Sequence, residues 1–504
     1  MVLLLLHQSN NIAMNTRNKI SWFICLTFFT IFSGCREKVV NENNVNSLPP
    51  IYPDYIEVTI PASIAPLNFT IRNENFELID VLVQGKGHES LHVQGKKDIQ
   101  FPIKPWKKLL SENKDSSLQF MVSIKQNGNW KTFKPFNIYI NSDLIDYGLV
   151  YRLIAPGYEV YSKMGIYERN LSNFDQRPIV ENTLITGSCL NCHAFNQNNP
   201  SFMSLHIRGD NGATMLKVNN DMQMFITKTN STISSCVYPY WHPSGNYIAY
   251  SVNITNQAFH AVKDERVEVV DKASDIVVYD VKSNKLISTN LLKTDDLETF
   301  PAFSPDGKTL YFCLAKKMDL QNDYKKVKYS LCKISFDPSI GKFGSKIDTL
   351  VSANDTKKSV SFPRPSFDGK FLMFTLSDYG NFSIWHKEAD LYLFNLSDGT
   401  FHAIDQVNSE NTESYHDWSS NSKWFVFSSR RDDGLYTRLY ISHIDKNGNV
   451  TKPFMLPQKK ADFYDNFLFS YNVPEFTQKP INLNLLEFRN KIMSDEKKQM
   501  QFEK

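Results

Sequence analysis

After its first three dozen residues, this 504-residue chain has no apolar run long enough to cross a bilayer, so no later segment reads as a spanning helix. It contains no G-x-S-x-G, which removes the nucleophile elbow of a serine hydrolase. The last repeat lies close to the C-terminus, so no separate catalytic domain is expected after it. Charge of one sign is also missing: 56 Lys and Arg stand against 53 Asp and Glu, a net +3 spread along the chain. No basic footprint for nucleic acid follows, and no nucleic-acid partner is expected. Cysteine is scarce, at 7 residues, and no second C-x-x-C exists to complete a zinc site. Glycine and proline are modest at 20 and 22, whereas aromatics reach 13%, a balance that suits a β-rich exported protein.

Two of the few cysteines stand together in Cys189-Leu190-Asn191-Cys192-His193. C-x-x-C-H is the attachment pattern of a c-type haem. Each thiol adds to one vinyl group of a single porphyrin, and the adjacent imidazole ligates the iron. The cofactor expected is therefore covalent haem c, with His193 as proximal ligand. A coincidental pair, a zinc half-site and a Cys189–Cys192 disulfide are the competing readings. A second metal-like pattern, His88-Glu89-Ser90-Leu91-His92, matches H-E-x-x-H, which needs a helix to bring both imidazoles to one face. Gly85, Gly87 and Gly95 crowd it, so a turn and a short strand are expected there instead of a zinc site. Cys236, Cys313 and Cys332 read as buried free thiols, with a Cys313–Cys332 disulfide as the alternative.

The N-terminus reads as an export signal over residues 1–35, with Met14 the better start. Arg17 and Lys19 precede an apolar stretch from Trp22 to Phe32, which ends at Ser33-Gly34-Cys35. Small residues before a cysteine resemble a bacterial lipobox, although Phe32 replaces its usual leucine. Cys35 is then the lipidation site. The chain is expected to be exported and membrane-anchored through lipid, periplasmic or on the outer membrane of a Gram-negative bacterium. That compartment is also where haem is joined to C-x-x-C-H. Residues 36–50 are polar and Asn-rich, a linker.

The remainder is expected to be all-β. Residues 51–147 alternate as short strands with turn signals such as Gln126-Asn127-Gly128-Asn129, a β-sandwich-like domain. Residues 148–480 carry a repeat. Its cleanest copy is Pro301-Ala302-Phe303-Ser304-Pro305-Asp306-Gly307-Lys308-Thr309-Leu310-Tyr311-Phe312, with others at Tyr240–Tyr250, Pro363–Phe374 and, without its Asp and Gly, Asp417–Phe427. A turn followed by an apolar strand, recurring at roughly 60 residues, is the mark of propeller blades. The copies resemble those of TolB-like six-bladed β-propellers over about residues 185–470. Together with the haem motif, the phrases Ile60-Pro61-Ala62-Ser63-Ile64-Ala65-Pro66-Leu67-Asn68-Phe69 and Ser470-Tyr471-Asn472-Val473-Pro474-Glu475-Phe476 resemble a group of exported Bacteroidetes lipoproteins. This resemblance implies architecture and haem, and no particular reaction. Blades start near 187, 238, 300, 362 and 415. A last strand beyond Tyr464 would join the hairpin Gly165–Leu171 and Arg177–Asn182 as a sixth blade; counts of five and seven stay open. Residues 481–504 are a charged tail, helical or disordered.

Repeat alignment puts Cys189–His193 in the loop before Ser201–Ile207, near one mouth of the central channel. Tyr240, Arg364 and His416 are then candidate haem neighbours, with Arg364 able to pair with a propionate. His206 is the candidate distal ligand, Met203 the runner-up, and His242 and His416 stand behind them. The function expected is electron transfer or redox or haem sensing, without catalytic residues, the propeller being the scaffold for a redox or protein partner. The alternatives are a haem-free TolB-like interaction module and a peroxidase-like oxidoreductase using Arg364 and His416.

Overall fold

The computed structural model describes residues 36–40, 42–87, 89–157, 163–262 and 265–503. The chain divides into a unit of Met1–Val40 and a second of Asn41–Lys504. Of the first, 36–40 are described and carry no helix or strand; the export signal, Met14 and Cys35 lie outside the described residues, as does His88. Among the described residues no helix is long and apolar enough to cross a membrane.

The second unit is all-β and begins with one seven-stranded sheet. The long strand Ser116–Gln126 lies at its centre, paired along one side with Leu78–Gln84. Its other side forks, the far half pairing with Asn129–Thr132 and the near half with Phe136–Asn141. The sandwich-like expectation thus takes the form of a forked sheet. Pro102 opens a helix, Ile103–Glu112, with Trp106, Leu109 and Leu110 buried on one stripe. The expected linker is partly ordered: Asn43–Asn44 pairs in parallel with Lys131–Thr132. His92 lies on a strand, Ser90–Gly95, with Nε2 2.8 Å from Asp80, as the glycines around it implied.

A propeller-like ring of sheets follows. Its innermost strands are Ser188–Asn196, Cys236–Trp241, Leu297–Phe303, Ser359–Pro365, Glu413–Trp418 and Ser470–Thr477. Each packs beside the next, and the last touches both the fifth and the first, which closes the ring. Three further strands extend outward from each one. A nine-stranded sheet is two such sets joined through the lone bridge Ser274↔Leu297, with Gln501–Phe502 as its ninth strand. The final inner strand pairs with Gly148–Ile154, which continues into Gly165–Asn170 and Gln176–Glu181. The two ends of the ring therefore share one sheet, and no sheet edge is left open at the join.

The repeat turn explains why each copy folds alike. Asp306 accepts from the Lys308 amide at 3.0 Å, and Gly307 takes φ +71°. In the degenerate copy Asn421 accepts from the Lys423 amide at 3.1 Å, and Ser422 takes φ +59°. Asn reproduces the Asp turn, so the missing Asp and Gly are tolerated.

One expectation is corrected here. The motif residues Cys189–His193 are not in a loop but inside the innermost strand Ser188–Asn196. Of the two readings of the tail, the helical one is found: Leu485–Met493 is a helix, and Lys498–Gln499 and Gln501–Phe502 add to the outer edges of two ring sheets. All five described cysteines are free, so neither Cys189–Cys192 nor Cys313–Cys332 is a disulfide.

Candidate functional site

Each inner strand slips register at the same point. The slips fall at Leu190/His193, Val237/Tyr240, Thr299/Ala302, Ser361/Arg364 and Ser414/Asp417, and opposite the last inner strand at Val150/Arg152. A bulge of this kind re-aims the side chains that follow it. Five of the bulges put a bulky residue at positive φ: Tyr238 (49°), Phe300 (51°), Phe362 (50°), Tyr415 (50°) and Val473 (45°). Non-glycine residues hold this region only where the surroundings enforce it. Here the enforcement is mutual packing on the ring axis. Ring centroids of Tyr238 and Phe300 are 4.6 Å apart, those of Phe300 and Phe362 4.1 Å, and those of Phe362 and Tyr415 4.7 Å.

Two residues after each of the five strained positions, and just past the slip in the first inner strand, stands a second circle: His193, Tyr240, Ala302, Arg364, Asp417 and Glu475. The Arg364 guanidinium lies 5.2 Å from the Tyr240 ring centre. His193 Nε2 faces Glu475 Oε2 at 3.6 Å, and neither atom has a hydrogen-bond partner. Burial pushes the His193 imidazole down to about 3, helped by the Arg152 charge and opposed by a hydrogen bond to the Val150 backbone. Burial raises Glu475 well above the carboxylate range, Asp417 adding to it and Arg364 opposing. Asp417 is pushed up to about 7 by burial, against the Phe476 amide, which donates to it at 2.8 Å. Burial thus disfavours charge on both partners, the imidazole and the Glu475 carboxyl. Tyr240, Arg364, Asp417 and Glu475 border a cavity of about 30 Å³, room for about one water molecule.

The two thiols are half-buried and unpaired. Cys189 Sγ lies 3.5 Å from Met164 Sδ. Arg152 Nη1 donates to Asn191 Oδ1 at 2.8 Å and to the Leu190 carbonyl at 3.2 Å, bracing the motif strand. The hydroxyls of Tyr238 and Tyr415 are within electrostatic range of both Cys192 and Arg152.

Of the residues expected beside the haem, Tyr240 and Arg364 meet each other in the circle that contains His193. His416 sits one residue earlier in its bulge, with Nε2 donating to the Met373 carbonyl at 3.0 Å, and burial takes it down to about 3. His206 Nδ1 is 2.9 Å from Thr214 Oγ1, and burial takes the ring down to about 4. Because His193 pairs with Leu205, His206 emerges on the opposite face of the sheet from His193. Met203 is fully buried in the core. His242 is held by Ser244 Oγ at 2.8 Å and the Gly307 carbonyl at 3.1 Å. Glu475 and Arg152 were not anticipated. Glu475 was within reach, because Val473-Pro474-Glu475 repeats Tyr238-Pro239-Tyr240, Phe300-Pro301-Ala302 and Phe362-Pro363-Arg364.

The donor set suits a covalently held haem: two free thiols, and an imidazole tied to backbone on one side with Nε2 unpartnered. One feature opposes it. Glu475 stands directly before Nε2, so that nitrogen is available only when this carboxyl turns aside. Among the described residues no group of three or more His, Cys, Asp or Glu is placed to hold a metal ion by itself.

No family model matches the chain, and no curated protein does. Several solved structures are similar in shape. One is an ancestral GH74 enzyme, 13% identical, TM-score 0.33, covering 62% of this chain and 39% of that one. Another is prolyl oligopeptidase B from Galerina marginata, 10% identical, TM-score 0.33, covering 64% and 41%. A third is a DUF4784 family protein from Bacteroides caccae, 8% identical, TM-score 0.31, covering 73% and 96%. The chain spans about two fifths of the length of the first two. At these scores the likenesses carry no argument about activity; the propeller-like fold rests on the strand pairing of this chain.

Proposed function

We propose that this chain is an exported, lipid-anchored, six-bladed β-propeller that carries a c-type haem on Cys189 and Cys192 and serves electron transfer or redox sensing. The observation that carries the reading is the pair of free thiols beside a neutral buried imidazole with an unpartnered Nε2. The six inner strands that pack in sequence round the axis support a count of six.

A bound haem would supply a one-electron redox centre. The protein's share is attachment by the two thiols, orientation of His193 through the Val150 backbone, and exclusion of water by the aromatic plug. Arg152, which braces the motif strand, is placed to balance negative charge at that end of the ring. The propeller faces are the surface for a redox or protein partner, and Cys35 is the anchor.

The test is a pyridine haemochrome spectrum of protein exported with the haem-attachment machinery, with peptide mass across Cys189–His193. A haem adduct on both thiols is expected. Unmodified thiols in an exported, folded protein would refute the reading, and a Cys189–Cys192 disulfide would favour the haem-free interaction module.

A further inference from the structure

One hairpin is much longer than its sheet requires. Its strands are Tyr247–Phe259 and Val267–Asp280. Pairing with the inner strand stops at Cys236↔Val252, and from Ile254 to Phe259 the two hairpin strands pair only with each other. They leave the ring at the end where the inner strands begin, the end that holds Cys189.

This arm does not project into solvent alone. The Tyr379 hydroxyl donates to Glu268 at 2.7 Å, and His386 Nε2 faces Glu268 at 3.4 Å. Asp271 accepts from Asn381 Nδ2 at 2.6 Å and from Asn253 Nδ2 at 2.8 Å. Tyr379 and Asn381 follow Ser377, the partner of Ser359 at the start of another inner strand. At the tip, a side-chain carbon on Gly157 would lie 3.4 Å from Arg266 Cδ. Gly157 follows Ile154, the partner of Ser470 at the start of the last inner strand. The arm thus reaches two further sheets at the same end of the ring and passes over the axis between them. Val267 and Val269 of the arm pack in the cluster that holds Phe300, Phe362 and Tyr415, the aromatics on the axis.

The attachment is uneven. A cleft of about 630 Å³ is lined by the arm's end and by Tyr379, Trp385 and His386. Ile254, Phe259 and Val262 are 43%, 45% and 59% exposed, whereas Val267 is buried and Val269 packs beside it against the core. With one strand exposed and the other held by a few polar and apolar contacts, the arm opens locally at less cost than the whole fold.

We infer that the arm is a strap across the thiol-bearing mouth of the ring, fastened by Glu268, Asp271 and Arg266, and that it lifts to admit any group that reaches Cys189 and Cys192. The haem reading enters only in naming the thiols as the reactive groups, and the test does not require haem.

Thiol labelling of the full, reduced, haem-free chain with a maleimide, read by peptide mass, tests it. Cys189 and Cys192 are expected to label about tenfold faster in Glu268→Ala/Asp271→Ala than in the wild type. The buried Cys236, Cys313 and Cys332 report whether the fold is intact, and they should stay unlabelled in both. Equal rates at Cys189 and Cys192, with the buried three still protected, would overturn the strap. If the double variant exposes the buried three, Arg266→Ser at the arm's tip decides by the same comparison. Absence of haem from the exported protein would sink the haem reading whatever the labelling rates.

Discussion

Asp271 is a carboxyl that its surroundings keep from ionising. Burial pushes it up to about 7, although Asn381 and Asn253 both donate to it. The Tyr238 hydroxyl also faces it from the axis, and Glu268 precedes it on the arm. A carboxyl raised in the fold binds its proton more tightly there than in the unfolded chain. Its contribution to stability is fully present below about pH 4 and is lost as pH rises through about 7. Asp271→Asn should remove that slope and leave the protein more stable than wild type at pH 8, as read by urea midpoints across the range. Arg364 is the cation that opposes the rise of both Asp417 and Glu475. Arg364→Ala should cost roughly 1–3 kcal/mol by denaturant unfolding. Lysine should restore little, because the contact with Tyr240 uses a planar guanidinium. The C-x-x-C-H pattern and Arg364 stood out in the sequence, because each carries its chemistry in its own residue types. Glu475 was not singled out, because its role comes from facing His193 across two sheets that are far apart in the chain.

Among the elements, the repeat turn sets the strand registers, and its glycines are not equivalent. A Cβ at Gly307 would fall 2.0 Å from His242 Nε2, whereas one at Gly369 meets nothing within 4 Å. Both sit at positive φ, 71° and 72°. Gly369→Ala should therefore cost about 1 kcal/mol from backbone strain alone. Gly307→Ala should cost clearly more, because it also drives the His242 ring from its place; paired thermal scans check the difference. The turns and strand starts were legible from Pro-Asp-Gly and the apolar runs after it. The placing of Cys189–His193 in a loop went wrong for a physical reason. The polar motif interrupts the apolar pattern of an inner strand, and a strand on the ring axis meets other strand ends there, not a continuous core. The arm was also missed, since Asn253–Phe259 and Val267–Ser274 look like ordinary strand sequence and their length beyond the sheet is a matter of register.

For the whole molecule, closure depends on Ser470–Thr477 entering the sheet begun by Gly148–Ile154. A chain cut before Ser470 would expose the edge of Gly148–Ile154 and open the ring. It is expected to aggregate and to lose a single cooperative unfolding transition, as measured by size exclusion and calorimetry. A chain cut at Asn484 keeps closure and loses the helix that buries Phe488 and Ile492, together with Met500 at the outer edge. It should stay monodisperse with a lower midpoint. The shared sheet was foreseen from the two chain ends, and a helix was one of two readings of the tail; its two strands were not foreseen, because a short charged segment gains them only from the sheet edges it covers.

By itself the sequence determined an all-β chain with a repeated turn and strand, and a C-x-x-C-H whose chemistry is written in adjacent residues. These are local properties, fixed by residue type and spacing. Tertiary structure alone decided that the motif lies in an axial strand, that Glu475 stands before His193, and that an arm from one sheet reaches a neighbouring one. Each of these depends on how sheets far apart in the chain are brought round one axis, and no local pattern encodes that distance.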